Sequence, residues 1–219
     1  MLLTPNEPKP PMFDEQSGQS HGYLSASGGA ITASAQSAPV KIRQLLRAEF
    51  AGLHPRLAIA RMLLGLLPIH VGGRVRGLVF RLIGFRIGRG TIMAGTPTIT
   101  CDSDMYNKLA IGTECWINFG CIFDLGAEIR IGNNVSIGHE VLVLTTSHRV
   151  GPSRRRAHTP FAEPVSIGSG AWIGSRTTIL PGITIGAGAI VASGSVVNDD
   201  VAPDTMVAGV PARPVKTLP

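Results

Sequence analysis

The stretch Val165–Val197, VSIGSGAWIGSRTTILPGITIGAGAIVASGSVV, decides the fold. Branched aliphatic residues recur in it at every sixth position: Ile167, Ile173, Ile179, Ile185, Val191 and Val197. Helices repeat near 3.6 residues and strands at two, so a strict period of six indicates a short strand and a corner stacked repeatedly, as in a parallel β-helix. Three such hexads are expected to form one triangular coil, with residues 18 apart in register on one face. Small or β-branched residues two places earlier are also expected to face inward: Ala171, Thr177, Ala189 and Ser195.

The same period continues upstream, between Ile87 and Val143. Its apolar positions are Ile87, Met93, Ile99, Met105, Ile111, Ile117, Phe123 and Ile129, followed after a slip of two residues by Ile131, Ile137 and Val143. Met105 stands in the polar stretch CDSDMYNK, so its match to the period counts for little. Together these positions predict a β-helix domain over residues 87–219.

The period is interrupted between Thr145 and Pro164 and resumes at Ile167. We interpret the segment TTSHRVGPSRRRAHTPFAEP as a loop, residues 145–164, extruded from an otherwise continuous coil. Long irregular loops on a rigid scaffold are where function concentrates. Beyond this domain's last hexads, the ending DDVAPDTMVAGVPARPVKTLP has prolines at 203, 211 and 214, which predict an irregular closing segment.

The region before the repeats divides into two parts. Residues 1–40 are rich in Ser, Gly, Pro and Gln and have too few large apolar residues to offset the entropy of ordering, so a disordered tail is predicted. Residues 41–86 carry apolar residues at helical spacing with arginine between them, in pieces broken at Pro55, Pro68 and Gly72-Gly73. This basic helical segment is expected to cap the open end of the β-helix. Contact of residues 41–89 with an anionic membrane surface is compatible with that role.

The net charge of +6 is concentrated in the helical segment. Ten of the 20 Lys and Arg lie within residues 41–90 against the single acid Glu49, so this segment carries +9 and the rest of the chain −3. Because the basicity is local, it does not predict nucleic-acid binding. We find no signal-like segment and no apolar stretch of spanning length, so a cytoplasmic location is expected, with the inner membrane face as a peripheral site. The cysteines form no CxxC pair and are expected to be free: Cys101, Cys115 and Cys121.

Several strings resemble the hexapeptide-repeat acyltransferases. They are WIGSRTTILPGITIGAGAIVASGSVV, the upstream WINFG and TTSH, and the ending AGVPARPVK, which are similar to sugar O-acetyltransferases of the galactoside, maltose and colanic acid group. The resemblance covers about residues 87–216. It implies an all-β, left-handed parallel β-helix, a homotrimer with sites between subunits, and acetyl-CoA as co-substrate with no permanently bound cofactor or metal. The acceptor implied is a sugar hydroxyl, which we expect on a polysaccharide or glycolipid precursor.

The resemblance also assigns roles to individual residues. His148, at the start of the extruded loop, matches the general base, and imidazole titrates close enough to neutrality to take a hydroxyl proton. Asn118 in WINFG matches a position that contacts the acceptor, facing His148 across a subunit boundary. Positions that match acetyl-CoA contacts are Ser175, Ser193, Asn198, Arg213 and Lys216.

One position departs from the family pattern. Asp199 stands where lysine is frequent, and a carboxylate cannot pair with a coenzyme phosphate. The loop cations Arg154, Arg155 and Arg156 could compensate, could hold an anionic acceptor, or could form a solvated charge run. Weaker site candidates are His139, His158 and Glu163.

Two other classes of function are built on the same kind of prism. A zinc enzyme of the γ-carbonic anhydrase type needs a second histidine five residues after His139, where this chain has Leu144. A trimeric β-helix scaffold without activity is the other alternative, and the acyl chain length also stays open.

Overall fold

The computed structural model describes residues 54–101 and 104–219. The predicted disordered tail, residues 1–40, lies outside the described residues, as does the first part of the helical segment, residues 41–53. Within the described part, no helix is long and apolar enough to cross a membrane.

From residue 54 onward, two helices precede the repeats: α1 (Pro55–Leu64) and α2 (Gly73–Leu82). Proline at the first position of α1 costs no helical hydrogen bond, and α2 begins after Gly72, which has a φ of 71°. The inner face of α1 buries Leu57, Ala60 and Leu64 at helical spacing. Helix α2 packs on the first strands, β1 (Arg86–Ile87) and β2 (Ile92–Met93). It therefore lies at the end of the prism where the repeats begin.

The repeats form three parallel sheets, here called A, B and C, that are the sides of a prism. Sheet A contains β1, β4 (Leu109–Ile111), β7 (Ile129–Ile131), β12 (Val165–Ile167) and β15 (Thr184–Ile185). Sheet B contains β2, β5 (Trp116–Ile117), β8 (Ser136–Ile137), β13 (Trp172–Ile173), β16 (Ile190–Val191), β18 (Thr205–Gly209) and β19 (Ala212–Thr217). Sheet C contains β3 (Thr98–Thr100), β6 (Ile122–Asp124), β9 (Leu142–Val143), β14 (Thr178–Ile179) and β17 (Val196–Val197).

The pairing register shows where the coils depart from 18 residues. In the last full coil Ile167 pairs with Ile185, as the period predicts, whereas Ile87 pairs with Ile111 and Ile111 with Ile131. The first coil is longer because of an additional stretch between β3 and β4. Met105 lies there, buried but on no strand, so its match to the period was accidental.

The core fills the inside of the prism. The hexad residues from Ile167 to Val197 are buried, and so are the four small residues predicted to face inward, Ala171, Thr177, Ala189 and Ser195. The prediction of an all-β, left-handed parallel β-helix with a helical N-terminal segment is therefore confirmed.

The prediction of an irregular C-terminal segment was wrong. Strand β18 adds in parallel to β16 and so extends sheet B, and β19 returns antiparallel to it. The prolines do not prevent this because Pro203 precedes β18, Pro211 lies in the turn, and Pro214 is on the edge strand. At these positions a backbone N–H would not take part in a hydrogen bond between strands, so proline can be accommodated.

The extruded segment is also regular. Strands β10 (Thr146–Val150) and β11 (Ala157–Ala162) form an antiparallel hairpin, which leaves the prism at the corner between sheets C and A. The hairpin adds its residues between β9 and β12, which is why Ile131 pairs with Ile167 and the period resumes without a change of face.

Candidate functional site

The hairpin β10–β11 carries His148 on its first strand. His148 pairs with Pro160 in the hairpin register, and its side chain is exposed. Its Nδ1 lies 3.2 Å from the backbone oxygen of His158. A carbonyl oxygen can only accept, so this contact requires the proton on Nδ1 and leaves the lone pair of Nε2 free. The imidazole is thus held in the tautomer that a general base at Nε2 needs.

Asp124, at the end of β6, anchors the base of the hairpin. Its Oδ2 accepts the backbone N–H of Thr146 at 2.8 Å and the hydroxyl of Thr146 at 2.6 Å. It also accepts the N–H of Thr145 at 3.1 Å, while the buried Thr145 hydroxyl donates to the Asp124 backbone oxygen at 2.6 Å. Sequence analysis missed this residue. The sequence feature that could have indicated it is an acidic residue directly after the hexad residue Phe123.

Asn118 lies on a different edge of the prism, at the corner between sheets B and C. Its Nδ2 donates to the Ile137 oxygen at 3.0 Å, and its Oδ1 accepts from Trp116 Nε1 at 3.2 Å. The left-handed residue in this corner is Gly120, with a φ of 78°, so the turn does not require asparagine at 118. Since His148 projects from the corner between C and A, one chain does not bring Asn118 and His148 together.

An aromatic column runs beside Asn118. The ring of Phe119 makes edge contacts with His139 at 4.7 Å and with His70 at 5.8 Å between centroids. His70 belongs to the connection between α1 and α2 and has a φ of 69°. Next to it is a cavity of about 360 Å³ lined by His70, Gly73, Arg74, Ile92, Ala94 and Trp116. Sequence analysis did not identify His70, because it is distant from Asn118 along the chain.

Ser175 and Ser193 follow His139 along the same corner. The Ser175 hydroxyl accepts the backbone N–H of His139 at 3.1 Å, and Ser193 occupies the equivalent position one coil later. A Cβ on Gly174 would lie 2.4 Å from the Ser193 nitrogen, so consecutive coils are in close contact here. His139 is half-buried between Phe119 and Ser175.

Three of the residues near the C-terminus form one polar cluster. Arg213 Nη1 donates to Asn198 Oδ1 at 3.1 Å and to Asp199 Oδ2 at 2.9 Å. Both members of the Arg213–Asp199 ion pair are largely exposed, so its net contribution to stability is small. Lys216 lies exposed on β19, opposite Met206. The carboxylate that departs from the family pattern therefore pairs with the cation matched to coenzyme phosphate.

The tip of the hairpin is strongly basic. Arg154, Arg155 and Arg156 are exposed, and Arg156 donates to the Gly151 oxygen at 3.2 Å. Arg149 lies over the Phe161 ring at 4.5 Å. Glu163 turns away from this group, since its carboxylate occupies the space where a side chain at position 182 would be.

Comparisons with known proteins give a consistent group of relatives. The family model for bacterial transferase hexapeptide (six repeats) matches residues 164–199. Galactoside O-acetyltransferase of Escherichia coli is 33% identical over 112 residues, 51% of this chain and 55% of its own length. Nodulation protein L of Rhizobium meliloti is 39% identical over 127 residues, 58% of this chain and 67% of its own length.

Solved structures agree with these sequence relatives. A hexapeptide-repeat containing acetyltransferase from Vibrio cholerae, complexed with acetyl coenzyme A, has a TM-score of 0.60 and 29% identity. The match covers 80% of this chain and 98% of that one. The chain spans about half the length of the first curated relatives it matches, 52% and 55%.

Proposed function

The chain belongs to the hexapeptide-repeat transferase family, and we propose that it is an acetyl-CoA-dependent O-acetyltransferase acting on a sugar hydroxyl. The observation that carries this proposal is the contact of His148 on the hairpin, where Nδ1 lies 3.2 Å from the His158 carbonyl oxygen and Nε2 is left to act as the base. Support comes from the galactoside O-acetyltransferase relative and from the similar Vibrio cholerae structure with acetyl coenzyme A.

In the proposed reaction, Nε2 of His148 takes the proton of the attacking hydroxyl. The hydroxyl oxygen bonds to the thioester carbon and forms a tetrahedral intermediate, whose collapse breaks the carbon–sulfur bond. The departing coenzyme A thiolate receives the proton from the imidazolium, so atoms and charge balance. General-base assistance of this kind contributes about 10² to 10⁴ in rate. Asn118 would hold the acceptor, and the site would be completed by a neighbouring subunit of a homotrimer.

Acetyl-CoA would run along the corner of Ser175 and Ser193 and end at Asn198, Arg213 and Lys216. The pairing of Arg213 with Asp199 has a consequence for this assignment. Only Nη1 of Arg213 is engaged by the described residues, so a phosphate could bind the rest of the guanidinium, but it would do so beside the Asp199 carboxylate. The like charge of that carboxylate is expected to weaken coenzyme affinity. Asp199→Asn is therefore expected to tighten acetyl-CoA binding by about two- to fivefold, as the energy of an exposed ion pair allows.

The acceptor would occupy the space beside Asn118. The cavity of His70, Arg74 and Trp116 adjoins this position and adds a cation to it. Together with Arg154, Arg155 and Arg156 on the hairpin, this favours an acceptor that carries negative charge, such as a phosphorylated precursor of a polysaccharide or glycolipid.

The first test is calorimetric titration of the full-length protein with acetyl-CoA. Wild type and His148→Ala are both expected to bind one equivalent per chain with affinities within about twofold, while His148→Ala loses 10² to 10⁴ in the rate of acetyl transfer. The control is His158→Ala, which removes an imidazole from the facing strand but keeps the backbone oxygen that holds His148. Absence of binding to wild type would contradict the coenzyme assignment. Unchanged transfer by His148→Ala would contradict its role as base.

A further inference from the structure

The two described helices have an apolar surface that no other described part of the chain covers. Nine of the 15 exposed large apolar side chains in the described chain lie between residues 59 and 82, so they are concentrated rather than scattered. They are Ile59, Met62, Leu63, Leu66, Ile69, Val71, Val75, Leu78 and Leu82. We call this set the helical patch. The most exposed are Leu66 at 82%, Leu82 at 74% and Met62 at 69%.

Helix α1 is apolar on both sides. Its inner face buries Leu57, Ala60 and Leu64 against the core, and its outer face presents Ile59, Met62 and Leu63. Apart from the exposed Arg56 and Arg61, the outer face of α1 is therefore apolar, and a concentrated exposed apolar surface marks a site of interaction with a partner.

The charges around the patch identify that partner. Arg56, Arg61 and Arg74 are exposed on the same two helices, and the sequence has no Asp or Glu from residue 54 to residue 101. Surfaces that combine aliphatic side chains with cations and lack acids match the acyl and anionic headgroup layers of a membrane. We therefore propose that the helical patch docks on the surface of an anionic lipid bilayer, with α1 and α2 lying in its interface.

The position of the patch in the fold suits this role. Helix α2 covers β1 and β2, the first strands of the prism, and α1 packs on α2, so the two helices lie at the end where the repeats begin. In a cyclic trimer of the kind proposed above, all three subunits present this end to the same plane. Three weak contacts would then act together on one flat surface.

The test is flotation of the full-length protein with two kinds of vesicle, phosphatidylcholine alone and an equimolar mixture with phosphatidylglycerol. Wild type is expected to float with the anionic vesicles, and less so at high salt. The variants Met62→Gln/Leu66→Gln and Arg56→Gln/Arg61→Gln are each expected to reduce the bound fraction about tenfold or more.

Matched controls separate the patch from general properties of the chain. Val210→Gln removes an equally exposed apolar side chain, and Arg130→Gln/Arg176→Gln removes the same net charge from exposed positions on the prism. Both are expected to float as wild type does. Circular dichroism and acetyl-CoA binding check that each variant is folded.

Three outcomes would overturn the proposal. Wild type fails to float with either vesicle, or the helical variants float as well as the controls. In the third outcome, light scattering shows that Met62→Gln/Leu66→Gln changes the oligomeric state while flotation is unaltered, which assigns the patch to a second copy of the chain. None of these results depends on whether acetyl transfer is detected.

Discussion

Asp124 links the prism to the start of strand β10, the strand that carries His148. One carboxylate oxygen accepts from Thr145 and Thr146, where the hairpin begins, and no other acid of the described chain anchors β10. Asp124→Ala should therefore lower kcat by about tenfold or more, since hydrogen bonds to a charged group are worth about 1.5–3 kcal/mol and their loss frees the hairpin base. Steady-state kinetics with calorimetric acetyl-CoA binding test this, and the affinity for acetyl-CoA should stay within about twofold.

The matched control is Asn133→Ala, whose side-chain oxygen accepts a backbone N–H from Thr113 at 2.9 Å in the corner between sheets A and B. It removes a similar link between coils at a corner that carries no candidate site residue. A fall in kcat of the same size in both variants would mean that the effect is general loss of rigidity, and would contradict a positioning role for Asp124.

The burial of Cys121 in the prism makes the stability of the fold depend on pH. Burial raises the pKa of the Cys121 thiol to about 11, and the Val141 backbone lowers it to a smaller extent. In the unfolded chain the thiol ionises near pH 9, so between about pH 9 and 11 the unfolded state loses a proton that the folded state keeps, and stability falls as pH rises. The ionisation of this thiol should therefore lower the free energy of unfolding of the wild type by about 2–3 kcal/mol between about pH 9 and 11.

The measurement is urea unfolding of wild type and Cys121→Ala at several pH values from 8 to 11. The variant lacks the thiol, so the difference in stability between the two proteins should narrow as pH rises. Burial also raises the pKa of Cys115, which both proteins retain, so its effect cancels. A difference that stays constant with pH would contradict the prediction.

Among the elements, α2 depends on one buried cation. Arg76 is 2% exposed, and its guanidinium donates to the backbone oxygens of Leu67, Pro68, Val71 and Ala94. It thereby ties the connection between α1 and α2 to the first coil. Arg76→Met should destabilise the protein by about 3–5 kcal/mol, because it removes the guanidinium donor from four carbonyl groups, two of which, those of Pro68 and Ala94, also accept a backbone N–H.

Denaturant unfolding measures this loss, with Arg74→Met as control because Arg74 is exposed on the same helix. The control should change stability by no more than about 0.5 kcal/mol. Equal stability of Arg76→Met and wild type would show that the carbonyl groups are satisfied by other donors, and that α2 does not depend on this residue.

An element could be predicted from the sequence when it forms through interactions between residues that are close along the chain. The hexads from Ile167 to Val197 predicted the prism because a local period alone determines which side chains face inward. The pairing of β18 with β16 and β19 could not be read in this way. Proline content argued against strands there, whereas edge and turn positions tolerate proline.

The candidate site was predicted in the same uneven manner. His148 and Asn118 stand in local motifs, so the sequence sufficed to select them. Asp124 and His70 act through contacts with residues distant along the chain, in the hairpin and in the aromatic column, and no local pattern marks them. The prediction also assigned Arg213 to phosphate without its partner Asp199, because the ion pair depends on the antiparallel return of β19.

The proposed assembly is inferred from the separation of the two candidate residues. His148 projects from the corner between sheets C and A, and Asn118 lies at the corner between B and C, so in the proposed site the two residues would come from different subunits. In a cyclic homotrimer, the hairpin of one subunit can reach the corner of the next, and three equivalent sites result. Neither His148→Ala nor Asn118→Ala alone is then expected to be active.

Mixing the two inactive variants tests this arrangement directly. After unfolding together and refolding in equal amounts, three quarters of the trimers contain both kinds of subunit, and each mixed trimer has one site with both native residues. Recovery of about one quarter of wild-type activity is therefore expected. Separately refolded variants, mixed afterwards without exchange, are the control and should remain inactive. If co-refolded trimers, verified by light scattering, show no recovery, then His148 and Asn118 do not contribute to one site from neighbouring subunits.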